Sequence, residues 1–169
     1  MYSILDTKKT SELYLVRQGW FSPEYVLTDK VYTYGKITFR RFTMCKATAI
    51  TAAAIWIFKR GPLLSRSLLI TDQNGTIIGR VTRELLSRRT VLSLETGFRA
   101  EFYRPSIFTP EYVWESEGYG KIMHIKNNPF SLTATIYIDQ SMAPAAVLPL
   151  LIFSASYLII LRRRRRSTH

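Results

Sequence analysis

The sequence predicts an all-β domain, an antiparallel sandwich or barrel of about twelve strands, followed by one apolar C-terminal helix. Three observations carry this expectation. Apolar and polar residues alternate with a period of two, breaks rich in Gly, Pro, Asn and Asp separate the runs at short intervals, and no amphipathic helix intervenes before residue 140. With 169 residues, 47% of them hydrophobic, the chain suits one domain with a substantial core.

In chain order, strands are expected near 12–18, 24–29 and 35–41, where short alternating runs end at Gly, Pro or Asp. The stretch CKATAITAAAIWIFKR is either one long strand or two, 45–50 and 54–60, turning near Thr51 to Ala53. Strands 66–72 and 77–83 flank DQNG, Asp72 to Gly75, whose residues tolerate positive φ. Four more follow at 90–96, 99–104, 110–116 and 119–126. The last, 130–138, is the clearest, because Phe130, Leu132, Ala134, Ile136 and Ile138 share one face and Ser131, Thr133, Thr135 and Tyr137 the other.

A motif recurs along this series. YGKITF at Tyr34 to Phe39, IIGRVTR at Ile77 to Arg83 and YGKIMHI at Tyr119 to Ile125 each run glycine, base, β-branched residue, and similar neighbourhoods precede each copy, as in a repeated hairpin. Gly35 shares the parity of Ile37 and Phe39, and Gly79 that of Ile77 and Val81, so both are expected to face inward. A missing inward side chain either admits another element or marks a bulge at a sheet corner.

From Met142 to Leu161 the chain carries no charge and is apolar on all sides; as a helix it would be roughly 30 Å long. Two environments accept such a helix, a bilayer or complete enclosure by protein. Five arginines, Arg162 to Arg166, follow it, as in a C-terminal anchor with a cytoplasmic tail or as a solvated stop after a buried helix.

Three features together resemble the tubby C-terminal-like superfamily, in particular its LURP-one-related and phospholipid-scramblase branches. They are the hairpin ITDQNGTIIGRV at Ile70 to Val81, the strand IWIFKRG at Ile55 to Gly61, and the ending TATIYIDQSMAPAAVLPLLIFSASYLII at Thr133 to Ile160. The resemblance spans roughly residues 12–161 and implies a twelve-stranded antiparallel β-barrel enclosing the hydrophobic helix, with the domain at 1–161, its central helix at about 142–161, and 162–169 as a basic tail. Inward Gly35, Gly79, Ala100 and Ala134 would then make room for the helix. The scramblase branch is similar to proteins with an acidic calcium-binding segment before the helix; here that place holds only Asp139 and Gln140, which argues against calcium-triggered scrambling.

Twenty-four Lys and Arg against twelve Asp and Glu give a net charge of +12 and point to an anionic partner. The resemblance implies a phosphoinositide-type lipid surface recognised by bases on one side of the barrel. Arg40, Arg41, Lys59, Arg60, Arg80, Arg83, Arg88 and Arg89, near strand ends and turns, together with Arg162, Arg163, Arg164, Arg165 and Arg166, are the candidate lipid- or anion-binding residues. A solubilising rim of bases is the plainer alternative. Anionic headgroups or a protein partner are therefore the expected partners. Nucleic acid is the lesser alternative, since the neighbours in FRRF (Phe39 to Phe42) and FYR (Phe102 to Arg104) point to opposite faces of a strand.

No enzyme, cofactor or metal is expected. Phosphate-loop, paired-cysteine and nucleophile-elbow motifs are absent from the sequence. His124 reads as a strand histidine with the parity of Gly120 and Ile122, Cys45 as an inert lone thiol beside Lys46, and Glu111, Glu115 and Glu117 lack the spacing of a calcium site. A single cysteine and an opening without a signal-peptide pattern suggest a cytoplasmic protein, peripheral at the membrane, with a C-terminally anchored protein as the alternative.

Overall fold

Twelve antiparallel strands close into a barrel around one helix in the computed structural model, which describes residues 1–19, 24–40, 46–61, 67–83, 89–128, 133–139 and 143–167, with only the helical backbone for 163–167. The strands are β1 (Glu12–Gln18), β2 (Glu24–Thr28), β3 (Thr33–Phe39), β4 (Lys46–Thr51), β5 (Ile55–Arg60), β6 (Leu68–Thr71), β7 (Ile77–Arg83), β8 (Thr90–Leu94), β9 (Arg99–Tyr103), β10 (Glu111–Ser116), β11 (Gly120–Asn127) and β12 (Thr133–Ile138). Each pairs with its neighbours in sequence, and β1 also pairs with β12, Leu13 opposite Ile136, so the sheet has no free edge.

Within the CKATAITAAAIWIFKR stretch, residues 46–60 form a hairpin, β4 and β5. Thr51 turns it, its amide donating to the Ala54 carbonyl at 2.9 Å and its hydroxyl accepting from the Ala54 amide at 3.0 Å. At the DQNG turn the Asp72 carboxylate accepts from the amides of Asn74 and Thr76, both at 2.9 Å, and Gly75 takes φ 86°.

The recurring motif marks three equivalent hairpins, β2–β3, β6–β7 and β10–β11, each four strands after the last. All three contain a register shift, at Leu27/Thr28, Ile70/Thr71 and Trp114/Glu115. Ile37, Val81 and Ile122 of the three copies are all buried, which accounts for the β-branched residue of the motif. Both readings of the inward glycines meet at Gly35, which pairs with Leu27 at the first shift. A Cβ there would lie 3.2 Å from the Phe153 ring of the helix and 2.5 Å from the Ile50 carbonyl oxygen. Gly79 sits at the second shift, but its space is taken by Leu94 of β8, 2.6 Å from a hypothetical Cβ, rather than by the helix.

The third shift changes a facing expected from parity. Ile122 and Met123 are both fully buried, so the alternation skips a residue and His124 lands on the outer surface, stacked 4.8 Å from Tyr137.

The helix α1 (Leu148–Ser167) follows a 3-10 turn at Ala145–Val147. It begins later than the expected 142 and runs on through the arginines instead of stopping at 161, because arginine is a good helix former and nothing in the run breaks a helix. Its apolar side chains fill the barrel on every side. Leu151, Ile152, Phe153 and Ala155 are fully buried, and Tyr157 lies between Phe39 and Phe58 with both centroids at 5.7 Å. Trp114 donates its indole N–H to the Leu151 carbonyl oxygen at 2.9 Å, tying β10 to the helix.

Candidate functional site

An antiparallel meander sends all odd-numbered strands to end on one side of the barrel and all even-numbered strands on the other. Arg40 follows β3, Arg60 ends β5, Arg83 ends β7 and Arg104 follows β9, so four of these chain positions put an arginine at the same end. At the opposite end Asp29, Asp72, Glu95, Glu117 and Asp139 directly follow β2, β6, β8, β10 and β12. The barrel is therefore polarised along its axis, and helix α1 emerges with its arginines at the arginine end.

The acids have local structural work. Asp29 accepts from the amides of Val31 and Tyr32 at 2.9 and 2.7 Å and from the Tyr34 hydroxyl at 2.6 Å. Desolvation pushes its carboxyl up, yet these hydrogen bonds outweigh it and hold the pKa below the usual 3.8. Asp72 caps the DQNG turn in the same manner.

The arginines of the other end are less committed. Between β5, β6, β7, β8 and the last apolar turns of α1 lies an open cavity of about 540 Å³, lined by Arg60, Arg83 and Arg162 together with Leu68, Leu158 and Leu161. Arg60 and Arg83 continue the inward-facing series of their strands, Trp56–Phe58–Arg60 and Gly79–Val81–Arg83. Arg162 reaches the Thr90 hydroxyl at 3.3 Å and lies 5.7 Å from the ring centroids of both Phe102 and Tyr112. Among the described residues, no carboxylate pairs with any of the three. Glu24, Glu101 and Glu111, which stand towards this end, are taken by Lys36, Arg89 and Lys126.

The remaining candidates divide. Lys59 and Arg80 are exposed on the outer wall, and Arg40 borders an outer groove with Glu24 and Lys36. Arg89 is held by Glu101, whose hydrogen bond raises the guanidinium pKa above its usual value, and it stacks 4.6 Å from the Tyr103 ring. Arg41, Arg88 and Cys45 lie outside the described residues, as do the side chains of Arg163, Arg164, Arg165 and Arg166.

Other chemistry is dispersed. His124 has Asp139 at 3.8 Å on the outer surface, Glu115 accepts from the Tyr103 hydroxyl at 2.8 Å, and Glu111 pairs with Lys126 at 3.6 Å. Residues that strand periodicity alone does not single out are Ile107 and Phe108, 61% and 89% exposed in the β9–β10 loop at the arginine end. Arg104 holds this loop by donating to the carbonyls of Thr109 and Ile107 at 2.7 and 2.8 Å. The opposite end also exposes Val31 and Tyr32, so charge, more than apolarity, distinguishes the two ends.

No protein-family model, curated protein or solved structure matches this chain.

Proposed function

We propose that the protein is a non-enzymatic binding module of the tubby C-terminal-like type that docks its arginine end on an anionic, phosphoinositide-like membrane surface at the cytoplasmic side. The observation that carries this is the gathering of Arg40, Arg60, Arg83 and Arg162 at one end without carboxylate partners among the described residues. A merely solubilising rim would pair its bases with acids, whereas the acids that stand towards this end, Glu24, Glu101 and Glu111, are taken by Lys36, Arg89 and Lys126. Each base near an anionic surface contributes about 1 kcal/mol, and the exposed Ile107 and Phe108 flank the same approach.

The closed twelve-stranded barrel with its enclosed helix supports the family reading. The same enclosure favours a peripheral module over a C-terminal anchor, because the apolar helix already has a protein environment. A lipid surface is favoured over nucleic acid, since Phe39 and Phe102 of the two aromatic-basic runs are buried in the core and the Tyr103 ring is covered by Arg89.

Co-sedimentation with phosphatidylcholine vesicles, with and without phosphoinositide, tests the reading. Arg40→Gln, Lys59→Gln, Arg60→Gln and Arg83→Gln combined should weaken association by roughly a thousandfold, at about 1 kcal/mol per charge removed. Lys30→Gln with Lys121→Gln at the acid end should change it little. Equal loss from both ends, or none from either, overturns the assignment of the surface.

A further inference from the structure

We infer that the cavity at the arginine end binds a single anionic amphiphile, a phosphate monoester carrying one acyl chain. Arg60, Arg83 and Arg162 hold the phosphate, and the chain lies against Leu68, Leu158 and Leu161. This rests on the proposed docking of the same end on anionic lipid and goes further, from attraction to a surface to enclosure of one molecule.

The argument starts from register. Residues at the inward positions of β5 and β7 are apolar as far as Phe58 and Val81, and the series ends at the mouth on Arg60 and Arg83, both exposed at the rim. Strand pairing spaces them around the rim, Arg60 beside Leu68, Leu68 beside Val81, and Arg83 beside Thr90. Both arginine side chains are exposed there, where their charge is open to a ligand entering the cavity. Arg89 shows what a structurally committed arginine looks like here, with Glu101 against it; the three cavity arginines have no such partner among the described residues.

Arg162 is held by neutral groups, the Thr90 hydroxyl and the faces of Phe102 and Tyr112, which orient the guanidinium while leaving its charge uncompensated. Three like charges around one space repel until an anion enters, and guanidinium forks match phosphate oxygens two at a time. The cavity wall is not that of a simple anion site. Leu68, Val81, Leu158 and Leu161 form an apolar floor beneath the arginines, and about 540 Å³ lies within the usual size of small-molecule sites. A polar head at the rim with an apolar tail beneath it satisfies both halves of this lining.

The test is calorimetric titration of the full chain, without vesicles, with lauroyl lysophosphatidate below its micelle concentration. Glycerol 3-phosphate, which has the head without the chain, and lauroyl lysophosphatidylcholine, which masks the phosphate charge, are the comparisons. The lysophosphatidate should bind at least about tenfold more tightly than either. Leu161→Trp, which fills the floor, and Arg83→Gln, at the exposed rim, should each weaken it by about tenfold or more, with melting curves confirming that both variants fold.

Glycerol 3-phosphate binding as tightly as the lipid would overturn the amphiphile, leaving an anion site. Equal binding of the lysophosphatidate to both variants would place it elsewhere and overturn the site. Absence of binding while vesicles are still retained would overturn this inference and leave the docking surface standing; loss of vesicle association as well would remove both.

Discussion

Replacing Phe153 by Ala asks whether helix α1 is the barrel's core. The ring is fully buried, its centroid 6.5 Å from that of Trp56, and its edge faces Gly35, whose backbone offers no side chain to refill the space. Truncating a buried phenylalanine costs about 3–5 kcal/mol, the upper part applying where the walls collapse poorly. A domain of this size loses about 2–4 °C of melting temperature per kcal/mol, so a fall of about 6–20 °C is expected. Circular dichroism melting of detergent-free protein, followed in the far ultraviolet for the strands, reads it directly. If the melt moves by less than about 2 °C, the helix does not support the strands and enclosure fails as the source of their stability.

Two further changes test the same packing from other sides. Ser154 is fully buried on the helix with its hydroxyl unbonded among the described residues, so Ser154→Ala should stabilise the fold by about 1 kcal/mol, raising the melting temperature a few degrees; a lowered one would reveal a hidden partner for the hydroxyl. The lowered pKa of Asp29 means that its contribution is present above its unfolded value of about 3.8 and is lost as the pH falls through the lower folded value. Asp29→Asn keeps an acceptor oxygen without the charge. Its stability deficit relative to the native protein should therefore shrink on acidification through that window, and a deficit constant with pH would assign the cost to shape rather than charge.

How much of this was legible in the chain differs between levels. Turn chemistry and alternation act over a few residues, and they were enough to place the DQNG hairpin and the strand series to within a few positions, while the choice between one strand and two at 45–60 was decided by the Thr51 turn in the structure. The repeated Gly-base-β-branched run likewise announced three like hairpins. Inward parity was readable for Gly35, Ile37 and Phe39, and misleading for His124, because one extra residue at Ile122 to Met123 reverses every facing beyond it.

The candidate site was legible as a set of bases and not as a place. Arg60, Arg83 and Arg89 look alike in sequence, yet two line the cavity and the third is tied to Glu101; that difference arises from which strand lies beside which and from the side each residue faces. By itself, then, the sequence determined the strand series, the turns and an apolar segment that had to be hidden from water, since each follows from local backbone preference and side-chain polarity. Only the tertiary structure decided that β1 meets β12, that the helix is hidden inside the resulting barrel, and that Arg162 joins arginines about eighty and one hundred positions earlier. Those outcomes depend on burial summed over the whole barrel, which closes the sheet and fills its interior in one event, and no window of neighbouring residues contains that sum.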